Sequence, residues 1–121
     1  MSTVSIRKTH GEDYASIKTV VDQVIADLGG LEDIIKPGYK VIVKPNLVAC
    51  PTDRLSGGVT RWEVCLAIYE AVKAVGGEPV IAESSAAGAD TELTIVKCGY
   101  QELRDKGIPV IDLKQKENAR C

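Results

Sequence analysis

Phenylalanine is absent from this chain of 121 residues, which has one tryptophan and four tyrosines. We therefore expect Val, Ile, Leu and Ala to fill its interior. Its net charge of −2 provides no electrostatic attraction to nucleic acid or to an anionic membrane. No apolar run approaches the roughly 18 residues that cross a bilayer, and the N-terminus lacks the apolar segment of a signal peptide. We expect a cytoplasmic location and neither a nucleic-acid nor a membrane partner.

Side chains that bind metals are few and scattered. The four cysteines, Cys50, Cys65, Cys98 and Cys121, form no C-x-x-C pair, so the chain encodes neither a zinc ribbon nor a local iron–sulfur site. We expect reduced thiols and no cofactor within this chain. His10 is the single histidine, and we interpret it as an exposed loop residue.

Several catalytic and nucleotide-binding signatures are also missing. No G-x-G-x-x-G follows the first predicted strand, which disfavours a dinucleotide-binding domain. No G-x-x-x-x-G-K-[ST] is present, which argues against a P-loop NTPase. Neither G-x-S-x-G nor H-E-x-x-H occurs. The sequence therefore names no reaction, and whether the protein is an enzyme is left open.

Apolar periodicity alternates between strand and helix along the chain. The pattern predicts an α/β fold: a three-layer sandwich with a small, mainly parallel four-stranded sheet and helices on both faces. We expect one domain over residues 1–113 and a frayed polar tail over residues 114–121. The predicted strands cover residues 4–6, 39–44, 79–83 and 108–113, and the helices cover residues 14–28, 61–75, a segment opening near 91, and 100–106.

Three local features refine this expectation. The run Val41-Ile42-Val43 has no polar alternation, which is typical of a strand buried on both faces. Thr60 is the predicted N-cap of the second long helix. Cys65 lies at helical spacing from apolar neighbours, so we assign it to the core, and we interpret Cys98 as structural.

Two strand ends carry the polar side chains of greatest interest. Lys44 and Asn46 end the second predicted strand, and the long loop of residues 46–59 follows. Ligands of open α/β sheets bind outside the carboxyl ends of the strands, and helix N-termini favour anions. We therefore predict a phosphate or carboxylate site formed by the following residues: Lys44, Asn46, Thr60, Arg61, Ser84, Ser85 and Gly88.

Most of these residues, and three further ones, also have a simpler interpretation. Lys44 can extend its stem along the surface, Asn46 is a common turn residue, and hydroxyl residues often cap helices. Glu83 is either an acid–base or metal-binding carboxylate or a helix-cap partner, and Asp112 is equally ambiguous. Cys50 is either a redox thiol or an ordinary loop residue.

The segment K-P-G-Y-K-V-I-V-K-P-N-L-V at residues 36–48 resembles a family catalogued as domain of unknown function 362. Supporting matches lie at residues 58–60, 76–84, 99–100 and 107–113. The resemblance implies a longer protein, often with a ferredoxin-like module that holds iron–sulfur clusters. This chain resembles the N-terminal part, so we expect a missing C-terminal half or an iron–sulfur module as a partner.

Three functions follow as hypotheses. The first is a module that binds a small anionic molecule as part of a larger protein. The second is a redox-supporting domain of an iron–sulfur protein, with the cluster in the full-length context. The third is a non-catalytic interaction scaffold, for which a homodimer is one form.

Overall fold

Residues 2–114, which the computed structural model describes, form an α/β fold around a parallel sheet. Helices and strands alternate as the sequence predicts. In chain order the elements of this part are α1 (Tyr14–Asp27), β1 (Lys40–Val43), α2 (Trp62–Ala74), β2 (Glu78–Glu83), α3 (Thr91–Lys97), α4 (Gln101–Asp105) and β3 (Val110–Asp112).

The sheet has the strand order β1-β2-β3, and both pairings are parallel. Val43 lies opposite Ile81, and Ile81 lies opposite Val110, so these three side chains share one face. That face carries the hydrophobic core, to which α2 contributes Cys65 and Leu66. The remaining buried members of the core cluster are Leu47, Val59, Ile95, Cys98, Tyr100 and Leu103. The helices of both crossovers therefore pack on the same face, as sequential right-handed connections require.

α1 begins where Asp13 caps its first turn, because the Asp13 carboxylate accepts a hydrogen bond from the Ser16 amide at 3.1 Å. The helix packs against α2 and buries Ile17. The predicted ends of both long helices are confirmed to within two residues, and the predicted burial of Cys65 in α2 is confirmed. Cys98, just after α3, is buried as well.

The strand predicted at residues 4–6 is wrong, so the described sheet has three strands rather than four. Val4 and Ile6 are 79% and 89% exposed, and neither pairs with a strand. Side chains hold this segment to the end of α1 instead. The Arg7 guanidinium donates to both carboxylate oxygens of Asp27, at 2.6 and 2.8 Å, and the Ser5 hydroxyl donates to Asp27 at 2.7 Å.

β1 is not buried on both faces as its uninterrupted apolar run predicts. It is an edge strand of the described sheet, and Ile42 is 63% exposed. Val80 and Ile111, on the same face of the neighbouring strands, are partly exposed. The apolar run therefore predicts correctly that this segment is a strand, but it does not predict how many of the strand's faces are covered.

The predicted capping role of Thr60 is also wrong. The N-cap of α2 is Arg61, which makes no side-chain capping bond. The Thr60 hydroxyl is engaged elsewhere, because it accepts a hydrogen bond from the Asn46 amide at 2.9 Å. The Thr60 hydroxyl thus forms a tertiary hydrogen bond instead of the helix-capping bond that the local sequence predicts. Of the predicted tail, only Lys114 is described, and residues 115–121 lie outside the described part.

Gly77 lies between α2 and β2, where the backbone passes close to neighbouring side chains. A Cβ atom at this position would lie 2.7 Å from Val72 Cγ1 and 3.0 Å from Ile35 Cγ2. Both neighbours belong to buried side chains. The crossover between β1 and β2 therefore depends on the absence of a side chain here.

We expect Gly77→Ala to lower the free energy of unfolding by about 1–3 kcal/mol, because the added methyl overpacks a filled site. Urea denaturation measures the change. The matched control is Gly58→Ala, where the new Cβ would meet only Ser56 Oγ, at 3.5 Å. Equal stability of the two variants would contradict the close packing at Gly77.

Candidate functional site

The Glu83 carboxylate joins the two loops that leave the carboxyl ends of β1 and β2. Glu83 is 2% exposed and ends β2. One carboxylate oxygen accepts the Leu47 amide at 2.7 Å, and the other accepts the Ser84 amide at 2.7 Å. The Ala86 amide also donates to the Val48 carbonyl at 3.1 Å. The two loops therefore stay paired beyond the ends of their strands.

Two hydroxyl residues complete this inner polar layer, which we define as Glu83, Ser85 and Thr60. The buried Ser85 hydroxyl donates to the Leu47 carbonyl at 2.6 Å. Thr60 accepts the Asn46 amide, and its carbonyl accepts the Tyr100 hydroxyl at 2.8 Å. The functional groups of the inner layer are thus occupied by bonds that shape the loops.

A second set of polar side chains lies at the same edge but faces solvent. This outer set consists of Lys44, Asn46 and Ser84, all exposed. The Lys44 ammonium is 3.3 Å from Glu83 Oε1 and 3.3 Å from the Pro45 carbonyl. Within residues 2–114, neither the Asn46 side-chain amide nor the Ser84 hydroxyl has a hydrogen-bond partner. The outer set is therefore available to a ligand in a way that the inner layer is not.

The third strand brings another carboxylate and another lysine to this edge. Asp112 lies opposite Glu83 in the β2–β3 register, and both carboxylates are buried. The Lys114 amide donates to Asp112 at 2.9 Å, while its ammonium donates to the carbonyls of Ala86 and Ala89 at 2.7 and 2.8 Å. Two lysines thus flank two buried acidic groups. Sequence reasoning missed Lys114, although its place after a parallel strand was a usable signal.

Two of the predicted ligand residues, Arg61 and Gly88, belong neither to the inner layer nor to the outer set. The Arg61 guanidinium donates to the Glu12 carbonyl at 3.0 Å and lies 3.5 Å from the Glu63 carboxylate, so the segment before α1 and a side chain of α2 hold it. Gly88 has a φ of 84° and open space where a side chain would stand. The backbone at Gly88 is therefore open to a close approach from solvent.

Arg54 holds the long loop to α2, and no local sequence signal marked it. Its guanidinium forms two hydrogen bonds to the buried Glu63 carboxylate, at 3.0 and 3.2 Å. Burial alone would raise the pKa of Glu63, but hydrogen bonds from Arg54, its own backbone and Arg61 outweigh burial and lower it. Residues 46–59 are thus anchored at their centre.

Cys50 is an exposed residue of the same loop, and its sulfur lies 3.4 Å from the Thr94 hydroxyl. The part of the chain that the structure describes contains no group of three or more His, Cys, Asp or Glu side chains able to hold a metal ion.

Within residues 2–114, no helix has the length and apolar character that crossing a membrane requires.

The fold and this edge define a parallel α/β domain whose polar strand-end loops are tied together by a buried carboxylate. The chain belongs to the family described as domain of unknown function DUF362, whose sequence profile matches residues 41–121. The match begins in β1 and includes every residue of the inner layer and of the outer set. The resemblance seen in the sequence is thereby confirmed.

One similar protein is the thylakoid-associated protein sll1697 of Synechocystis sp. (strain ATCC 27184 / PCC 6803 / Kazusa). The two sequences are 31% identical over 116 residues, which cover 94% of this chain and 35% of that protein. This chain therefore spans about a third of the length of the relative it matches. No solved structure matches the chain significantly. The iron–sulfur partner and the homodimer stay predictions.

We expect Glu83→Gln to lower the free energy of unfolding by about 1–3 kcal/mol. The neutral amide has a donor NH2 group in place of one carboxylate oxygen, so either the Leu47 or the Ser84 amide loses its acceptor. Urea denaturation measures the loss. Glu78→Gln, at the exposed start of the same strand, is the control and should change stability by less than about 0.5 kcal/mol. Equal effects of the two substitutions would refute the structural role of Glu83.

The lowered pKa of Glu63 predicts a pH-dependent contribution to stability. A depressed carboxyl pKa stabilises the fold fully above the unfolded value of 4.5, and the contribution disappears as the pH falls through the folded value. We expect Arg54→Gln to make the acid-side loss of stability less steep. Urea unfolding between pH 7 and pH 3 tests this.

The control for the pH series is Lys8→Gln, which removes one exposed positive charge outside this ion pair. Its stability profile should retain the steepness of the unsubstituted protein. Parallel profiles for Arg54→Gln and the unsubstituted protein would show that the ion pair does not control acid stability.

Proposed function

We propose that this domain binds a small anionic group, a phosphate or a carboxylate, at the carboxyl ends of β1 and β2. A single observation carries the proposal: the exposed Lys44, Asn46 and Ser84 side chains lie together at one sheet edge. Their register supports this, because Asn46 and Ser84 each lie three residues beyond the paired Val43 and Ile81. All three side chains can donate hydrogen bonds, which is what an anion needs.

Lys44 supplies the charge. Its side chain is 60% exposed, whereas the Glu83 side chain beside it is 3% exposed. A lysine ammonium has three donor hydrogens, and the Glu83 and Pro45 oxygens account for at most two of them. The remaining donor and the solvent-exposed position favour a ligand that arrives from outside. Glu83 then serves to position Lys44 while it holds the loops.

Asn46 and Ser84 supply neutral donors from the two loops that follow β1 and β2. Their backbone amides are fixed by Thr60 and Glu83, respectively, so the side chains project from anchored positions. Anchored donors lose little freedom when they bind, which raises affinity for a given set of contacts. Gly88 supports access, because the space beside its Cα atom is open.

The relative is about three times as long as the matched segment, so in a longer protein this edge would form one part of a larger site. We propose that the outer set holds the anionic group, while other segments of the longer protein provide the remaining contacts. This division is consistent with a site that is open to solvent on the side of Lys44 and Ser84.

Titration of the domain with inorganic phosphate, acetate and succinate at low salt tests the proposal. A ligand at 100 times its Kd stabilises the fold by about 2.7 kcal/mol, which thermal unfolding detects readily. We expect one of these anions to raise the unfolding temperature. We also expect added sodium chloride to weaken the shift, because the Lys44 charge is exposed.

We expect Lys44→Met combined with Ser84→Ala to weaken anion binding at least tenfold, which corresponds to about 1.4 kcal/mol. Methionine keeps an aliphatic stem and removes the charge. The matched control is Lys40→Met, an exposed lysine at the opposite end of the same strand, which should bind as the unsubstituted protein does. Unchanged affinity in the double variant, or equal weakening in the control, would contradict the assignment.

A further inference from the structure

The loop of residues 46–59 lies along α3 and brings one cysteine close to another. Cys50 Sγ is 3.4 Å from Thr94 Oγ1 in the middle of α3. Further along the loop, Arg54 lies against the position just after α3, because a Cβ atom on Gly99 would be 3.3 Å from Arg54 Cδ. Cys98 lies between these two contact points and caps the helix.

Helix geometry places the Cys98 side chain beside Cys50. Cys98 follows Thr94 by one turn, and its amide donates to the Thr94 carbonyl at 2.9 Å. Side chains four residues apart on a helix have Cβ atoms about 5–6 Å apart on the same face. Because the Cys50 sulfur contacts Thr94, we infer that it lies beside the face of α3 that Thr94 shares with Cys98.

The two thiols differ in access and are both free. Cys50 is exposed, whereas Cys98 is 1% exposed. Burial raises the pKa of Cys98, and the neighbouring Cys50 raises it further, which agrees with the placement of the two thiols. Cys50 is accessible to a reagent from solvent. Cys98 is placed to react with the mixed disulfide that Cys50 then carries.

We propose that Cys50 and Cys98 form a reversible disulfide that fixes residues 46–59 on α3. The oxidant is a low-molecular-weight disulfide such as oxidised glutathione. The Cys50 thiolate attacks one sulfur of the reagent, forms a mixed disulfide and releases one glutathione thiolate. The Cys98 thiolate then attacks the Cys50 sulfur and releases the second. The reagent takes up two electrons, and its two thiolates take the two thiol protons.

This modification goes beyond anion binding and does not require it. The loop that the disulfide would fix begins at Asn46, and the Arg54–Glu63 pair already holds its centre. A bond at Cys50 would add a covalent anchor in the first half of the loop. The redox state would thereby limit how far the loop can move relative to α3.

Oxidation of the folded full chain tests the proposal. The Cys121→Ala variant removes the cysteine at the C-terminus and serves as the starting protein. After reaction with oxidised glutathione, we expect a mass lower by two hydrogens and a protease fragment that links Cys50 to Cys98. We also expect a higher thermal unfolding temperature that dithiothreitol reverses. A stable glutathione adduct on Cys50, a link to Cys65 or no reaction would overturn the proposal.

Two variants separate the steps. Cys98→Ala should accumulate the glutathione adduct on Cys50, because the second thiol is missing. Cys50→Ala should remain unmodified under native conditions, because Cys98 is buried. Modification of Cys98 in that folded variant would show that the order of attack is wrong. If Cys98→Ala fails to fold, the Cys121→Ala protein, which retains both thiols, still tests the proposal. A protease fragment that links Cys50 to Cys98 supports the disulfide, and the absence of that fragment refutes it.

Discussion

The buried Glu83 carboxylate is the constraint on which the strand-end edge depends. One side chain accepts the amide of its own loop at Ser84 and the amide of the neighbouring loop at Leu47. Hydrogen bonds to a carboxylate are stronger than those between neutral groups, and an orphaned buried amide is costly. Loss of this acceptor would leave the Leu47 and Ser84 amides without a partner, and only the bonds made by Ser85 and Ala86 would then join the two loops.

The same interaction explains why some polar residues at this edge are candidates for binding and others are not. Glu83, Ser85 and Thr60 use their functional groups to shape the backbone. Lys44, Asn46 and Ser84 follow the same strands, but their side chains are exposed to solvent. The site is thus divided into a layer that holds the loops and a set that faces a ligand. Family membership alone supplies no such division, since the family is described only as a domain of unknown function.

Sequence periodicity was sufficient for the α/β class, the long helices and the three observed strands, because each depends on local pattern and local stop signals. It failed where tertiary contacts decide. Residues 4–6 alternate like a strand, yet Arg7 and Ser5 tie that segment to Asp27. Thr60 looks like a helix cap, yet it serves the Asn46 amide 14 residues earlier. Arg61 was grouped with Lys44 by its place at a helix start, but Glu12 and Glu63 occupy its guanidinium. The Glu83–Leu47 bond spans 36 residues, a separation at which no local pattern specifies a partner.

The most direct test is a ¹H–¹⁵N NMR titration of the domain with inorganic phosphate, recorded with amide hydrogen exchange. The account predicts that the Asn46 side-chain amide and the Ser84 signals shift with a common affinity. It also predicts that the Leu47 amide stays slow to exchange throughout, because Glu83 holds it in both states. Fast exchange at Leu47 would contradict the inner layer. Phosphate-induced shifts that avoid Asn46 and Ser84 would contradict the outer set.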